Sequence, residues 1–448
     1  MLLAAQVRLT FLVARHVTAR PRNVGDEARG GLRRAWLPIG WVRLPVTIAD
    51  FEWEDAVVAE VATRAQLVRR AVEVGPVLRR HAVWQEKHRR LHEETVEALA
   101  GAGLFRLRVP RRYGGFEADT RTLVEVATEL GRVDGSSSWV TSVSWIPGWM
   151  ACLFPDDVQD EVFATPDVRV CGTLSPTAFA KPAKGGVVLN GKWGFISGAL
   201  HSHWQVTISV LVPQDGDPYP VMALVPMSDL HVVDDWVTGG LCGTGSVSTV
   251  AKDVFVPDAR VLPLPAVLQG RSASKLNADA AIFRAPLLPV ASASSVGTAL
   301  GIASGARDLF LKRLSGRKIT YTGYDSQRDA PLTHLQVAEA TLKVDQAQFH
   351  AHRLADLVDS KGVEGSEWKL DERVRARADM GAVCRLAREA VDILAGASGG
   401  SSMYLDVPIQ RFARDIQAIN LHALMHPNTN LELYGRALCG LEPNTLYI

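Results

Sequence analysis

The chain shows three successive patterns of residue type and spacing, which we call textures. Their order is the feature that most strongly limits what this chain can fold into. Between about residues 54 and 165, apolar residues recur every three or four positions, which predicts amphipathic helices. Residues 168–270 change to short β-branched runs separated by Gly, Pro and Asp, which predicts strands without helices between them. Helical periodicity returns after about residue 275 in four long segments. A helix, strand and helix order of this kind is uncommon and indicates three structural units.

These textures predict a mostly helical α+β fold. We expect an N-terminal helical domain over residues 51–166, a central, compact antiparallel β-barrel or sandwich over residues 167–272, and a C-terminal four-helix bundle over residues 273–448. Residues 1–50 are rich in arginine and poor in acids, as transit peptides are, but Arg8 and Arg15 interrupt the apolar run that a secretory signal needs. We predict a poorly ordered extension there, outside the functional argument.

Charge and cysteine content exclude several classes of protein. The 49 basic and 48 acidic residues leave a net charge of +1, so no excess charge would attract nucleic acid or an anionic membrane. The five cysteines form no C-x-x-C pair, which is typical of reduced thiols in a cytoplasmic protein. With 47% hydrophobic residues, the chain has ample material for a core.

One uncharged segment, residues 286–306, is long enough to cross a membrane. Ser, Gly, Ala and Thr fill most of it, so its transfer into lipid is weakly favourable. Gly297, Gly301 and Gly305 recur every four residues and would form one smooth stripe for close helix packing. We therefore predict a buried bundle helix and no membrane association.

The candidate metal-binding and nucleotide-binding motifs of this sequence give little support to a metal site or a dinucleotide site. The pairs His88/His92 and His422/His426 have helical spacing but no third ligand nearby in sequence, so no metal site is predicted. A G-x-G pattern occurs in residues 240–245, but a β-branched run follows it where a dinucleotide fingerprint needs a helix. This loop can still present backbone N–H groups to an anionic or flat ligand.

The aromatic-rich stretch 191–204 is the best candidate for a cofactor site. A planar cofactor needs aromatic or apolar walls, small residues for close approach and one or two hydroxyl groups. Trp193, Phe195, Ser197 and Gly198 provide that set. A turn that anchors aromatic side chains in the core is the alternative interpretation.

Several motifs, in chain order, resemble the acyl-CoA dehydrogenase superfamily. They are LFRLRVPRRYGG at residues 104–115, DGSSSW at residues 134–139 and the Trp149–Pro155 segment, and the resemblance continues through residues 191–198, 240–257 and 397–415. It covers about residues 55–440. The chain is most similar to the flavin-dependent monooxygenases of that fold, the oxygenase components of two-component systems. The family's helical domain, β-barrel and four-helix bundle, usually in a homotetramer, agree with the three textures.

The resemblance implies a reaction. Reduced flavin, FMN or FAD, would arrive from a separate NAD(P)H-dependent flavin reductase, and dioxygen would add at flavin C4a to give a hydroperoxide. This species would hydroxylate a small organic substrate, which by analogy with the family is aromatic or polyketide-like. His422 stands near where a dehydrogenase of the family has its catalytic Glu, and the monooxygenases carry a His there. Oxygenation is therefore favoured over dehydrogenation.

The resemblance also assigns residues. Ser197 would bond to flavin N5, and His422 would bond the flavin peroxide or deprotonate a phenol. The full cofactor set is Trp193, Phe195, Ser197, Gly198, Ser175, Arg317, Ser398, Gly399 and Gly400. Trp139, Trp145 and Trp149 lie where the family builds its substrate wall, although their spacing also suits core residues. A flavin dehydrogenase, an N-hydroxylating monooxygenase and a flavin-free scaffold remain alternatives.

Overall fold

The computed structural model describes residues 62–448, so the extension predicted over residues 1–50 lies outside the described residues. Five helices come first: α1 (Arg64–His88), α2 (Glu93–Gly101), α3 (Thr120–Gly131), α4 (Gly135–Ala151) and α5 (Asp156–Val162). Side chains at their N-termini explain where three of them begin. Thr63 forms a capping box with Gln66, and Asp119 and Asp134 accept the first free backbone N–H groups of α3 and α4.

A single sheet follows. Its strands are β1 (Val170–Ala183), β2 (Gly186–Ile196), β3 (Trp204–Leu211), β4 (Tyr219–Pro226), β5 (His231–Val233), β6 (Val247–Pro257) and β7 (Val261–Pro263). They lie in the order β5-β6-β2-β1-β3-β4-β7. All neighbours are antiparallel except β1 and β3, which run parallel with Val170 opposite Trp204.

The prediction of a closed antiparallel barrel is therefore wrong. The sheet is open and mixed, and its edges are two strands of three residues each, β5 and β7. The chain leaves β2 at Ile196 and passes over the start of β1 before it enters β3, which makes β3 parallel to β1. The β-branched runs reveal where strands occur, but pairing between distant segments decides whether a sheet closes.

The C-terminal part is helical again, as predicted. It contains α6 (Leu264–Leu268), α7 (Leu287–Arg313), α8 (Pro331–Glu364), α9 (Leu370–Ala397), α10 (Pro408–Leu421) and α11 (Pro427–Leu438). The four long segments predicted there correspond to α7, α8, α9 and α10. The exact boundaries between domains stay a prediction.

Helix α7 joins the two helical regions. Among the described residues it alone is long and apolar enough to span a membrane, and its apolar window is fully buried inside the protein. A Cβ atom at Gly297, Gly301 or Gly305 would come within 2.4–2.5 Å of backbone carbonyl oxygens of α3 or of the residue that follows it. The glycine stripe thus allows direct contact between the two backbones, and the apolar surface serves internal packing.

Candidate active site

The end of β2 presents an unusual aromatic residue. Phe195 has a positive φ of 62°, a region that non-glycine residues rarely adopt, and 75% of its surface is exposed. Its ring forms a T-shaped pair with that of Trp236, with 5.9 Å between the ring centroids. Strained backbone conformations persist where the surrounding structure imposes them, and they are concentrated at functional sites. An exposed aromatic ring in such a conformation is suited to cover a flat ligand.

Ser197, two residues later, belongs to a row of hydrogen-bonded side chains. Trp139 Nε1 donates to Ser197 Oγ at 3.1 Å, and Ser197 Oγ lies 2.7 Å from Ser246 Oγ. Ser246 Oγ lies 2.7 Å from Thr244 Oγ1, which in turn donates to the carbonyl of Leu241 at 2.8 Å. We use the name inner group for five residues: Trp139, Ser197, Thr244, Ser246 and His422.

The loop that carries Thr244 and Ser246 is held from two sides. The Leu241 N–H donates to Asp415 Oδ1 in α10 at 2.6 Å, and the Gly198 N–H donates to the Thr244 carbonyl at 3.2 Å. A Cβ atom at Gly240 would come within 2.2 Å of the Arg414 carbonyl oxygen, so only glycine allows this approach. The end of β2, the loop and α10 are thus tied together around Ser197.

Asp415 is one of two buried acids in this region, the other being Asp134. Burial, reinforced by the neighbouring charge of Asp134, raises the pKa of the Asp415 carboxyl to about 7. Its Oδ2 atom faces Gly135 and has no hydrogen-bond partner within residues 62–448. Because Asp415 is only 2% exposed and is bonded to Leu241, it supports the loop and is not placed to take a proton from a ligand.

His422 stands at the C-terminus of α10, where its ring meets Trp139 edge-on at 5.3 Å. The side chain is accessible to solvent, yet burial by the surrounding protein lowers its pKa to about 4. Its imidazole is therefore neutral at pH 7 and offers one donor and one acceptor nitrogen to a ligand.

A second set of predicted cofactor residues lies together elsewhere. Arg317 Nη2 donates to the Ser398 carbonyl at 2.6 Å, and Gln327 Nε2 donates to the adjacent Ala397 carbonyl at 2.8 Å. Gly399 has a φ of 68°, as expected for the turn after α9, and Gly400 follows it. We call Arg317, Gln327 and residues 398–400 the outer group.

Three predicted ligand-binding tryptophans lie in the core instead. Trp193, Trp145 and Trp149 are 0–1% exposed. Their indole N–H groups donate to the backbone carbonyls of Ile208, Leu104 and Ile282, respectively, at 2.7–2.8 Å. Fully buried and satisfied rings have no surface left for a ligand, so we omit these three from the proposed site. Of the three tryptophans of α4, only Trp139 joins the inner group.

The remaining predicted positions are Ser175 and Gly198. Ser175 is exposed, at an irregularity of β1 between Gly172 and Pro176. Gly198 has a φ of 75°, and a Cβ atom there would approach Val140 Cγ1 to 3.0 Å. Gly198 therefore lets the chain turn directly after Ser197.

The sequence interpretation missed the roles of Thr244 and Ser246. It treated the 240–246 loop only as a source of backbone N–H groups, whereas two of its hydroxyl groups extend the row that begins at Trp139. The sole signal in the sequence is the presence of hydroxyl residues beside glycines, which is also common in ordinary turns.

One cluster of potential metal ligands occurs among the described residues: His81, His92 and Glu94. The two imidazoles are stacked at 3.8 Å with an interplanar angle of 13°. A metal ion binds an imidazole nitrogen in the plane of the ring, and two nearly parallel planes this far apart share no such position. His92 Nδ1 also accepts the Glu94 N–H as the cap of α2. The geometry is that of an aromatic stack and helix cap.

A flavin is compatible with the inner group. Ser197 is only half-buried, at the outer end of an otherwise buried row of hydroxyl groups. Phe195 exposes an aromatic ring beside it, and His422 is accessible to solvent. A flat, partly polar ligand would meet an aromatic wall, a hydroxyl group and a neutral imidazole there. These are this structure's own features and do not depend on a related protein.

Comparison with known proteins assigns the chain to a family. Residues 62–164 match the family model described as "Acyl-CoA dehydrogenase, N-terminal domain", and residues 293–427 match "Acyl-CoA dehydrogenase, C-terminal domain". The oxygenase component of FADH(2)-dependent resorcinol hydroxylase from Rhizobium sp. is 32% identical over 87% of this chain and 98% of its own length. The oxygenase subunit HsaA of a flavin-dependent monooxygenase from Rhodococcus jostii is 30% identical over 82% and 96% of the two chains.

Solved structures agree. XiaF from Streptomyces sp., in complex with FADH2, has a TM-score of 0.80 and 31% identity, covering 85% of this chain and 97% of its own. The HsaA monooxygenase from Mycobacterium tuberculosis has a TM-score of 0.79 and 28% identity, covering 86% and 100%. The resemblance to two-component oxygenases and the reduced-flavin cofactor are thereby confirmed. The chain belongs to the acyl-CoA dehydrogenase family, and its relatives within that family are the oxygenase components of two-component flavin-dependent monooxygenases.

Proposed function

We propose that this protein uses reduced flavin and dioxygen to hydroxylate a small phenolic substrate, with the flavin delivered by a separate NAD(P)H-dependent reductase. The observation that carries the proposal is the position of Trp139. Its indole N–H bonds to Ser197, while its ring contacts His422, so one side chain joins the proposed flavin contact to the proposed substrate contact. When bound, reduced flavin supplies the electrons that activate dioxygen.

The protein's own groups have distinct tasks in this proposal. With reduced flavin bound, Ser197 Oγ would accept a hydrogen bond from the flavin N5–H, which would discourage loss of that proton. The buried ring of Trp139, beside Ser197, limits access of water, which would otherwise relay protons from the site. His422, with its pKa lowered to about 4, serves as a neutral hydrogen-bond partner that orients a substrate hydroxyl group.

The relatives guide the choice of substrate class. Their printed names include a resorcinol hydroxylase and a p-hydroxyphenylacetate 3-hydroxylase from Acinetobacter baumannii, which is 25% identical. A phenol would place its hydroxyl group at His422. Hydroxylation at carbon is therefore the reaction we favour over hydroxylation at nitrogen.

A mixing experiment tests the proposed function. The purified protein is loaded anaerobically with reduced FMN or FAD and then mixed with oxygenated buffer containing resorcinol or p-hydroxyphenylacetate. We expect a hydroxylated product in amounts limited by the reduced flavin, and none when NADH or NADPH replaces it. Dihydroflavin oxidation at the same rate with and without the protein, with no product from a panel of phenols, would contradict the proposal.

We further propose a homotetramer. On α8, Leu335, Leu342 and Phe349 are 61–71% exposed and seven residues apart, so they form an apolar line on one helix face. Next to the outer group, Met403, Tyr404 and Leu405 are 69–73% exposed. Contiguous apolar surface of this kind supports association with further copies of the chain.

We also propose that the protein acts in the cytoplasm. All five cysteines are free, which suits a reducing compartment, and the NAD(P)H needed by the reductase is available there. Fusion to a fluorescent protein and microscopy in the native cell would test this location.

A further inference from the structure

Two hydroxyl groups, those of Ser246 and Thr244, connect Ser197 to a backbone carbonyl. The contacts run from Ser197 Oγ to Ser246 Oγ at 2.7 Å, from Ser246 Oγ to Thr244 Oγ1 at 2.7 Å, and from Thr244 Oγ1 to the Leu241 carbonyl oxygen at 2.8 Å. Within the described residues, these hydroxyl oxygens have no other acceptor in reach. Thr244 and Ser246 are 1% and 4% exposed, so water has little access to the row.

Counting protons fixes the direction of every bond in this row. Two oxygens at 2.7–2.8 Å need a hydrogen between them, and each hydroxyl has one hydrogen to give. The Leu241 carbonyl has none, so Thr244 must donate to it. Ser246 must then donate to Thr244, and Ser197 must donate to Ser246. Three hydrogens fill three contacts in only one arrangement.

The other end of the row agrees with this direction. Trp139 Nε1 can only donate, and it points at Ser197 Oγ from 3.1 Å. Ser197 therefore accepts from Trp139 and donates to Ser246, which leaves its oxygen with one free lone pair and no free hydrogen. Since Ser197 is the half-buried end of the row, that lone pair is what the site can offer to a ligand.

We propose that Thr244 and Ser246 are positioning residues that hold the Ser197 hydroxyl as an obligatory hydrogen-bond acceptor and thereby make the site select reduced over oxidised flavin. This inference rests on the proposed function. The N5 atom of reduced flavin carries a hydrogen and can donate to Ser197. The N5 atom of oxidised flavin is an acceptor, so it faces a second acceptor and gains no bond. A ligand that leaves a polar group of the site without a hydrogen bond binds more weakly than one that pairs with it, and this difference is a strong source of specificity.

The test compares the affinities of both redox states of one flavin. Dissociation constants of oxidised and reduced FMN or FAD, whichever binds more tightly, are measured by anaerobic fluorescence titration for the wild type, Ser246→Ala and Thr244→Val. In either variant, the Ser197 hydrogen is free to turn outward towards oxidised N5. We expect the preference for the reduced form to fall about five- to tenfold, the value of one hydrogen bond. Ser246→Thr and Thr244→Ser keep the hydroxyl groups and should restore the wild-type preference.

A purely structural role gives a different result. If Thr244 and Ser246 only support the loop, both redox states should bind more weakly by the same factor and the preference should not change, which would overturn the inference. Two sites of substitution are used because one variant can fail to fold. Thermal unfolding curves show which variants are folded, and the dissociation constants are measured on those. If the wild type binds no reduced flavin, the proposed function itself fails, and the inference fails with it.

Discussion

The inner and outer groups differ in how completely a single chain builds them. In the inner group, Trp139, Thr244 and Ser246 are buried, and Ser197 lies between Trp139 and Ser246 in the row of hydrogen bonds. The outer group lies near a surface where Met403, Tyr404 and Leu405 are largely exposed. The contrast indicates that one chain builds the proposed site around Ser197 completely. The part near Arg317 presents an apolar border that a second copy would cover.

The largest effect is expected from breaking the border of the outer group. The double variant Tyr404→Glu/Leu405→Glu places two charges on the exposed apolar surface, so it should dissociate the oligomer and weaken FAD binding by about 100-fold or more. Light scattering after gel filtration and FAD titration measure both effects. Val72→Glu, at a 53% exposed position on α1, is the matched control. Unchanged mass and affinity would show that the outer group is also complete in one chain.

The next effect concerns the inner group. Ser197→Ala removes the acceptor for flavin N5–H, so we expect product per reduced flavin to fall about tenfold, with hydrogen peroxide making up the difference. Product chromatography and a peroxide assay on the same samples measure the ratio. Ser197→Thr retains the hydroxyl group and serves as the control. A normal product yield in Ser197→Ala would remove Ser197 from the site.

A smaller effect should separate the two halves of the cofactor. Arg317→Gln loses a charged donor beside the turn at residues 398–400, where we expect the adenosine diphosphate end of FAD. FAD binding should weaken about five- to tenfold, while FMN binding should not change. Lys318→Gln removes a neighbouring exposed charge as the control. Equal losses for FMN and FAD would place Arg317 near the ring system instead.

The smallest effect is the pH response of His422. Because burial lowers its pKa to about 4, His422 stays neutral from pH 6 to 8 and should add no inflection to the rate in that range. The unfolded imidazole has a pKa near 6.5, so the wild type should lose stability as the pH falls from 6.5 towards 4. The melting temperature of His422→Asn minus that of the wild type should therefore be about 1–2 °C larger at pH 5 than at pH 8. Equal acid sensitivity would contradict the shift.

The sequence predicts local features well because they depend on neighbouring residues. The segment expected at residues 288–314 is the helix Leu287–Arg313, since its periodicity and flanking residues are all within reach of a short window. The open sheet was missed because the choice of partner for β1 depends on residues about 35 positions away. The three-residue strand β7 carries too little pattern to be recognised.

The candidate site shows the same limit. Trp139, Trp145 and Trp149 look alike in sequence, but a helix turns by about 100° per residue, so Trp145 and Trp149 share a face and Trp139 lies about 80–120° from them. That calculation could have separated Trp139 from the two core residues. Nothing comparable reveals Ser246, because 49 residues separate it from Ser197. The folded chain alone brings these hydroxyl groups together.

The seam between α3 and α7 has a practical consequence for engineering new substrate ranges. At Gly297, Gly301 and Gly305, even one added methyl group would collide with main-chain oxygen at 2.4–2.5 Å. Randomised libraries screened for altered products should therefore return glycine at all three positions, whatever compound is used for selection. Saturation mutagenesis is better directed at Phe195 and His422, whose side chains have room to vary.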